Sequence, residues 1–287
     1  CIAHAALDGP KDYEEWRSVP GHISQSVCQY LEHWHDSFEL FHSTKPWLQA
    51  ADLKVIPNSD ANENESSGWS PLRSICYTKS RGNNPTLFDH SANGNQMEEY
   101  TEEEIALNLI CFQNFFVAGG RASPRQWGSC LIEKPSNPTG GPCSGKSTLF
   151  TSIRAENFKH TLISNLSSYE DLKEIYGDLK NFIGKPIWEH PISGPNDREA
   201  IENATKTHLG RLVPQTRILL INPDRKRILL GPGLIYPRFQ DNKNPFPADK
   251  FASLKAYKDR IELVSASPDK AIWRELYAIS IYACYKC

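Results

Sequence analysis

Hydrophobic spacing divides the chain into a helical first part and a strand-rich second part. Ile23, Val27, Leu31, Trp34, Phe38 and Phe41 recur at three and four, which predicts an amphipathic helix over residues 23–42 with Pro20-Gly21 at its start. Residues 44–95 are polar and irregular, with one strand expected near Leu53–Ile56. Thr101 precedes Glu102, Glu103 and Glu104, and Ile105, Leu109, Phe112 and Phe116 form a stripe behind them. That pattern predicts a helix capped by Thr101, closed by a capping box with Glu104 and ended at Gly119-Gly120. Residues 121–148 read as a Pro/Gly/Ser loop, and Tyr169–Phe182 as another helix with Leu172, Ile175, Tyr176 and Leu179 on one side.

The texture then changes. Pro186–Ile192, Arg217–Asn222, Arg227–Leu230 and Leu276–Ala283 are short and rich in Ile, Leu, Tyr and Trp, as strands are. Pro223-Asp224 reads as a hairpin turn between two of them. Helices first and antiparallel strands afterwards predict an α+β fold, helices packed on an antiparallel sheet. The expected division is 1–95, an N-terminal helix plus a long irregular region, and 96–287, the α+β domain.

Cysteine content changes the picture of the compartment. Eight cysteines stand at 1, 28, 76, 111, 130, 143, 284 and 287. The even count, with cysteine at both ends, predicts a scaffold stapled by up to four disulfides in an oxidising compartment. The only methionine is Met97, so the chain reads as a mature secreted product without its signal peptide. Sequons at Asn64, Asn165 and Asn203 agree with secretion. A net charge of −2 offers no basic field for non-specific nucleic-acid binding, and no run of 18 apolar residues is present to span a membrane.

Gly140–Ser147, GGPCSGKS, spells a phosphate-binding loop. Such a loop works between a buried strand and a helix. The residues before it, Lys134-Pro-Ser-Asn-Pro-Thr, carry two prolines and no apolar run, so no nucleotide triphosphate is expected there. His33, His35 and His42 suggest a metal, but residues i and i+2 of a helix point apart, so neither a metal nor another cofactor is expected.

The candidate chemistry lies in Trp188-Glu189-His190-Pro191-Ile192, Arg217-Ile-Leu-Leu-Ile and Phe158-Lys159-His160. A carboxylate in a short apolar strand is costly unless paired or used. Glu189, Arg217 and His160 on one sheet face would suit a phosphodiester: base, bidentate phosphate clamp and supporting imidazole.

These segments resemble the microbial guanyl-specific ribonucleases, which include the fungal ribotoxins and the ribonuclease-like effectors of plant-pathogenic fungi. The resemblance rests on a Glu-x-Pro strand, an Arg-led strand, a turn at Asn222-Pro-Asp224, a Gly-containing strand Ile228–Ile235 and an aromatic-x-His strand. It implies Glu189 as general base, Arg217 as phosphate clamp and His160 as supporting base, with Tyr169 and Glu170 near the guanine-recognition segment. The family's second His is missing, and Tyr236, a further expected substrate-site residue, stands at the end of that strand. A phenol with a pKa near roughly 10 is a weak acid at neutral pH, and loss of a general acid costs about 10²–10⁴ in rate. The resemblance therefore implies a secreted, catalytically impaired ribonuclease-like effector that binds a host protein or RNA. An active guanyl-preferring endoribonuclease is the alternative.

Overall fold

A charged cap, not the Pro-Gly pair, starts the long N-terminal helix. The computed structural model describes residues 1–56, 68–76, 98–115, 124–132, 149–177, 179–234, 236, 251–256, 261–264 and 269. A short helix α1 (Ile2–Ala6) leads to α2 (Tyr13–His33). Asp12 Oδ1 accepts the Glu15 N–H at 2.9 Å, and the Glu15 carboxylate accepts the Lys11 N–H at 2.8 Å. Pro20 thus lies inside α2, where it removes one helical hydrogen bond. Burial offsets that loss: Val19 and Ile23 pack with Ala3, Ile163 and Leu166. A 3₁₀ turn, His35–Phe38, follows.

Strand β1 (Leu53–Val55) forms where expected and pairs antiparallel with β3 (Arg125–Trp127), which pairs in turn with β4 (Cys130–Ile132). The β3–β4 hairpin falls in a segment read as loop. Three-residue strands are too short to show an alternation, and only Gly128, in the left-handed region at φ 57°, marks the turn. A second sheet has the order β2-β6-β5, from β2 (Ser70–Pro71), β5 (Leu219–Ile221) and β6 (Arg227–Leu230). Pro71 sits on its edge strand, where a missing donor is tolerated. Strands β7 (Leu254–Ala256) and β8 (Ile261–Leu263) make a third antiparallel pair.

The Asn222-Pro-Asp224 turn joins β5 to β6 as predicted. Asp224 Oδ1 accepts the Lys226 N–H at 2.9 Å, and Oδ2 accepts the Arg227 Nε–H at 2.7 Å. Partial burial pushes the Asp224 carboxyl up, but these donors outweigh it and leave it below its ordinary value. A depressed carboxyl stabilises the fold above its unfolded value and loses that contribution as pH falls through the folded one. Asp224→Asn is therefore expected to flatten the acid limb of stability below about pH 4. Urea midpoints across the acid range, wild type against variant, check it.

Helix α3 (Glu102–Phe115) has the expected box: Thr101 N–H to Glu104 Oε2 at 2.9 Å and Glu104 N–H to Thr101 Oγ1 at 3.3 Å. Its residues Ile105, Leu109 and Phe112 share one core with Leu72, Ile75, Leu219 and Ile228. That core and the β1–β3 and β2–β6 pairs join residues from the first ninety-five to residues from the remainder.

Two expected strands are not strands. Phe158-Lys159-His160 opens helix α4 (Phe158–Ser164), because Asn157 Oδ1 caps it by accepting the His160 N–H at 2.9 Å. Around Glu189 the chain is a turn, closed by Glu189 N–H to Pro186 O at 3.1 Å and His190 N–H to Ile187 O at 3.2 Å. Pro186 and Pro191 lack the donors a ladder needs. Helix α5 (Tyr169–Tyr176) forms with a Ser168–Asp171 capping box but stops at Gly177, whose φ is 61°. Helices α6 (Arg198–Lys206) and α7 (His208–Leu212) were not anticipated.

Helices and small antiparallel sheets make this an α+β protein. The disulfide staple is not part of it. Cys1, Cys28, Cys76, Cys111 and Cys130 are all thiols, so four disulfides do not form. Cys143, Cys284, Cys287, the Gly140–Ser147 motif, Phe116 and the Leu276–Ala283 segment lie outside the described residues. Among the described residues no helix is long and apolar enough to cross a membrane.

Candidate functional site

Glu189 reaches back to α2. Trp188 is buried against Phe38, with ring centroids 5.2 Å apart. Its indole N–H donates to Tyr30 Oη at 2.7 Å, and the Tyr30 hydroxyl donates to Glu189 Oε1 at 2.5 Å. Burial, and next the hydrogen bond to this carboxylate, push the Tyr30 phenol far above its ordinary value, so it stays a donor. The relay fastens the 186–190 turn to α2. Tyr30→Phe leaves an indole N–H and a half-buried carboxylate without their shared partner. It is expected to cost about 1–3 kcal/mol, read as a lower urea midpoint at unchanged slope.

Arg217 sits in a different setting. The run Thr207–Leu219 is almost entirely buried although it contains Thr207, His208, Arg211, Gln215, Thr216 and Arg217. Several of its polar groups are used internally. Gln113 of α3 donates from Nε2 to Arg217 O at 2.9 Å and accepts the Arg217 N–H on Oε1 at 2.9 Å. Thr216 Oγ1 donates to Gln113 O at 2.6 Å. Arg211 Nη2 donates to Thr205 O at 2.6 Å. Tyr236, expected as a substrate-site residue, is buried and donates its hydroxyl to Gln215 O at 3.0 Å.

His160 is exposed on α4, with Nδ1 3.3 Å from Asn157 Nδ2. Tyr169 and Glu170 open α5 and anchor the segment before α2: their N–H groups donate to Pro10 O and Lys11 O at 2.8 and 3.2 Å. The Tyr169 hydroxyl donates to Asp8 Oδ1 at 3.2 Å. Burial, then the Asp8 charge, push that phenol up to about 12. Its ring stacks on buried His4 at 6.2 Å, and His4 meets His208 edge-on at 4.9 Å. The Glu170 side chain is exposed.

The bonds of Glu189 thus lead to Tyr30, those of His160 to Asn157 and those of the Arg217 backbone to Gln113. The first and last join distant parts of the fold, and the second is local to the start of α4. Gln113, Tyr30 and the buried His4–His208 pair were missed at the sequence level. Gln113 had one signal, a polar residue next to Phe112 on the buried side of an otherwise apolar stripe.

Comparison with known proteins decides the family. Residues 1–281 match the family model of CRISPR-associated protein Cse1. This chain belongs to that family. The CRISPR-associated protein CasA/Cse1 of Thermus thermophilus is 26% identical over 289 residues, covering 97% of this chain and 49% of that protein. The crystal structure of Thermobifida fusca Cse1 superposes with a TM-score of 0.67 at 20% identity, over 95% of this chain and 50% of that one. A chain of a structure named "CRISPR RNA-guided surveillance complex" superposes at 0.60 and 16% identity, over 96% and 53%. At such identities the structural likeness shows a shared Cse1 fold. The chain spans about half the length of the relatives it matches.

Membership of the Cse1 family overturns the resemblance to guanyl-specific ribonucleases. The segments behind that resemblance are only a few residues long, and two of them fold as a turn and a helix start. The secreted-effector reading falls with it, as do virulence, an extracellular location and a host-protein partner. The sequons were incidental in two described cases. The Asn165 amide is bonded to Ile153 and Thr161, and the Asn203 amide to Lys185.

Proposed function

We propose that this chain serves as the Cse1 unit of a CRISPR RNA-guided surveillance complex, working by binding protein subunits and RNA. The family match over residues 1–281 carries the reading. The internal use of polar groups supports it. Tyr30, Gln113, Thr216 and Tyr236 spend their hydrogen bonds on joining elements, which suits a rigid docking unit. RNA, expected among the partners from the sequence, stays in the reading with a different role.

The test is reconstitution. The chain would be co-expressed with a guide RNA and the other subunits of such a complex from which Cse1 has been omitted. Co-migration on size exclusion, with the chain's mass added in native mass spectrometry, is the expected result. A complex that assembles without taking up the folded chain rejects the reading.

A further inference from the structure

The segment before α4 presents apolar side chains to solvent and is braced in doing so. Phe158 is 82% exposed and Ile153 49%. A single exposed aromatic is ordinary; the bracing is not. Asn165, just past α4, accepts the Ile153 N–H at 2.9 Å and donates to Ile153 O and Thr161 O at 2.7 Å each. Thr161 Oγ1 accepts the Ala155 N–H at 3.0 Å. Residues 153–157 therefore run back along α4, with Ile153 at one end of the helix and Phe158 at the other. Seven helical residues separate them by about 10 Å. Exposed Arg154 and Lys159 follow the two apolar residues, and Glu156 is the one exposed carboxylate between them.

An exposed aromatic on a braced backbone, with Lys159 beside it in sequence and Arg154 on the same segment, has the chemistry of a base-stacking platform. We propose that this strip binds single-stranded RNA: a base stacks on Phe158, and Arg154 and Lys159 meet the flanking phosphates. The proposal rests on the surveillance-complex reading and adds a site to it. The cations decide the choice of occupant, since Arg154 and Lys159 outnumber Glu156 and complement a phosphate chain. Bracing lowers the ordering cost on binding. Stacking reads no base, so the site is expected to be indifferent to sequence.

Fluorescence anisotropy with a short labelled single-stranded RNA tests it on the whole chain. Phe158→Ala is expected to weaken binding by about 5- to 150-fold, the usual worth of one stacked base. Arg154→Ala with Lys159→Ala is expected to lower the salt slope by about 0.7 for each phosphate released. Asn165→Ala, which leaves the stacking residue in place, is expected to give a smaller loss. Circular dichroism confirms that each variant is folded.

A folded Phe158→Ala that binds RNA within about twofold of wild type, where a stacked base is worth more, overturns the proposal. The same holds if Phe158→Ala impairs only assembly with protein subunits, which would make the strip a protein interface. It holds too if unlabelled DNA of the same sequence displaces the RNA more than about tenfold better than RNA itself. Failure of the wild-type chain to enter the reconstituted complex would instead strike the surveillance-complex reading.

Discussion

Gln113→Leu is expected to destabilise the protein by about 2–6 kcal/mol, from two buried backbone groups losing their partners at once. Leucine is one methylene shorter, so at this buried position a small packing loss adds to the lost hydrogen bonds. In the native fold the carboxamide bonds both the N–H and the C=O of Arg217, at 2.9 Å each, in the manner of a neighbouring strand. Gln113 is fully buried, so no water replaces it. Gln113→Glu is a sharper probe. It keeps an acceptor for the Arg217 N–H but sets a carboxylate oxygen against the Arg217 carbonyl. It is expected to be at least as damaging, and to recover in part at acidic pH when the carboxyl is protonated. Equilibrium urea unfolding gives both values. A loss below about 1 kcal/mol for both variants would mean that the 207–217 run finds other partners. A stability of about 5–15 kcal/mol is usual, so the larger loss would leave much of the chain unfolded near body temperature.

Gly233→Ala is expected to destabilise by more than about 4 kcal/mol, or to prevent folding. A Cβ at this position would lie 1.7 Å from the carbonyl oxygen and 2.7 Å from the carbonyl carbon of Thr216. Both are backbone atoms of the run that Gln113 clamps, so no side-chain rotamer relieves the overlap. Either the 231–234 segment moves away or the Gln113 bonds break. Gly21→Ala is the control. It lies inside α2, and beyond the helix's own backbone and its two chain neighbours no atom comes within 4 Å of the added methyl. It is expected to stabilise by about 0.5–1 kcal/mol, the ordinary helix preference for alanine. Thermal unfolding of the pair separates the two causes, since both add the same methyl. A Gly233→Ala protein melting within a few degrees of wild type would show that the close approach can relax.

Where the sequence spoke through local chemistry, it spoke accurately. Thr101 and Glu104 place the start of α3 because a capping box needs only four consecutive residues. Asn222-Pro-Asp224 marks the β5–β6 turn because one carboxylate closes it. The stripe Ile105, Leu109 and Phe112 is buried as its spacing implies. The failures have physical causes as well. Phe158-Lys159-His160 is strand-like in composition, yet an Asn157 cap outweighs β propensity over three residues. Cysteine parity is a statistical argument, and it fails when Cys1, Cys28, Cys76, Cys111 and Cys130 are all placed as free thiols. The ribonuclease resemblance was assembled from short segments whose order matched, and order alone does not place side chains on one face.

The sequence by itself determined the α+β class, the capping of α3, the β5–β6 hairpin and the apolar residues that become the core. Each depends on interactions between residues close along the chain or on burial that any fold must provide. Only the tertiary structure decided what Glu189, Arg217, His160, Tyr169 and Tyr236 touch. Glu189 lies 159 positions from Tyr30, and Arg217 lies 104 positions from Gln113. No local pattern encodes a partner at that distance. A polar residue whose hydrogen bond is supplied from afar looks, in sequence, the same as one kept for catalysis.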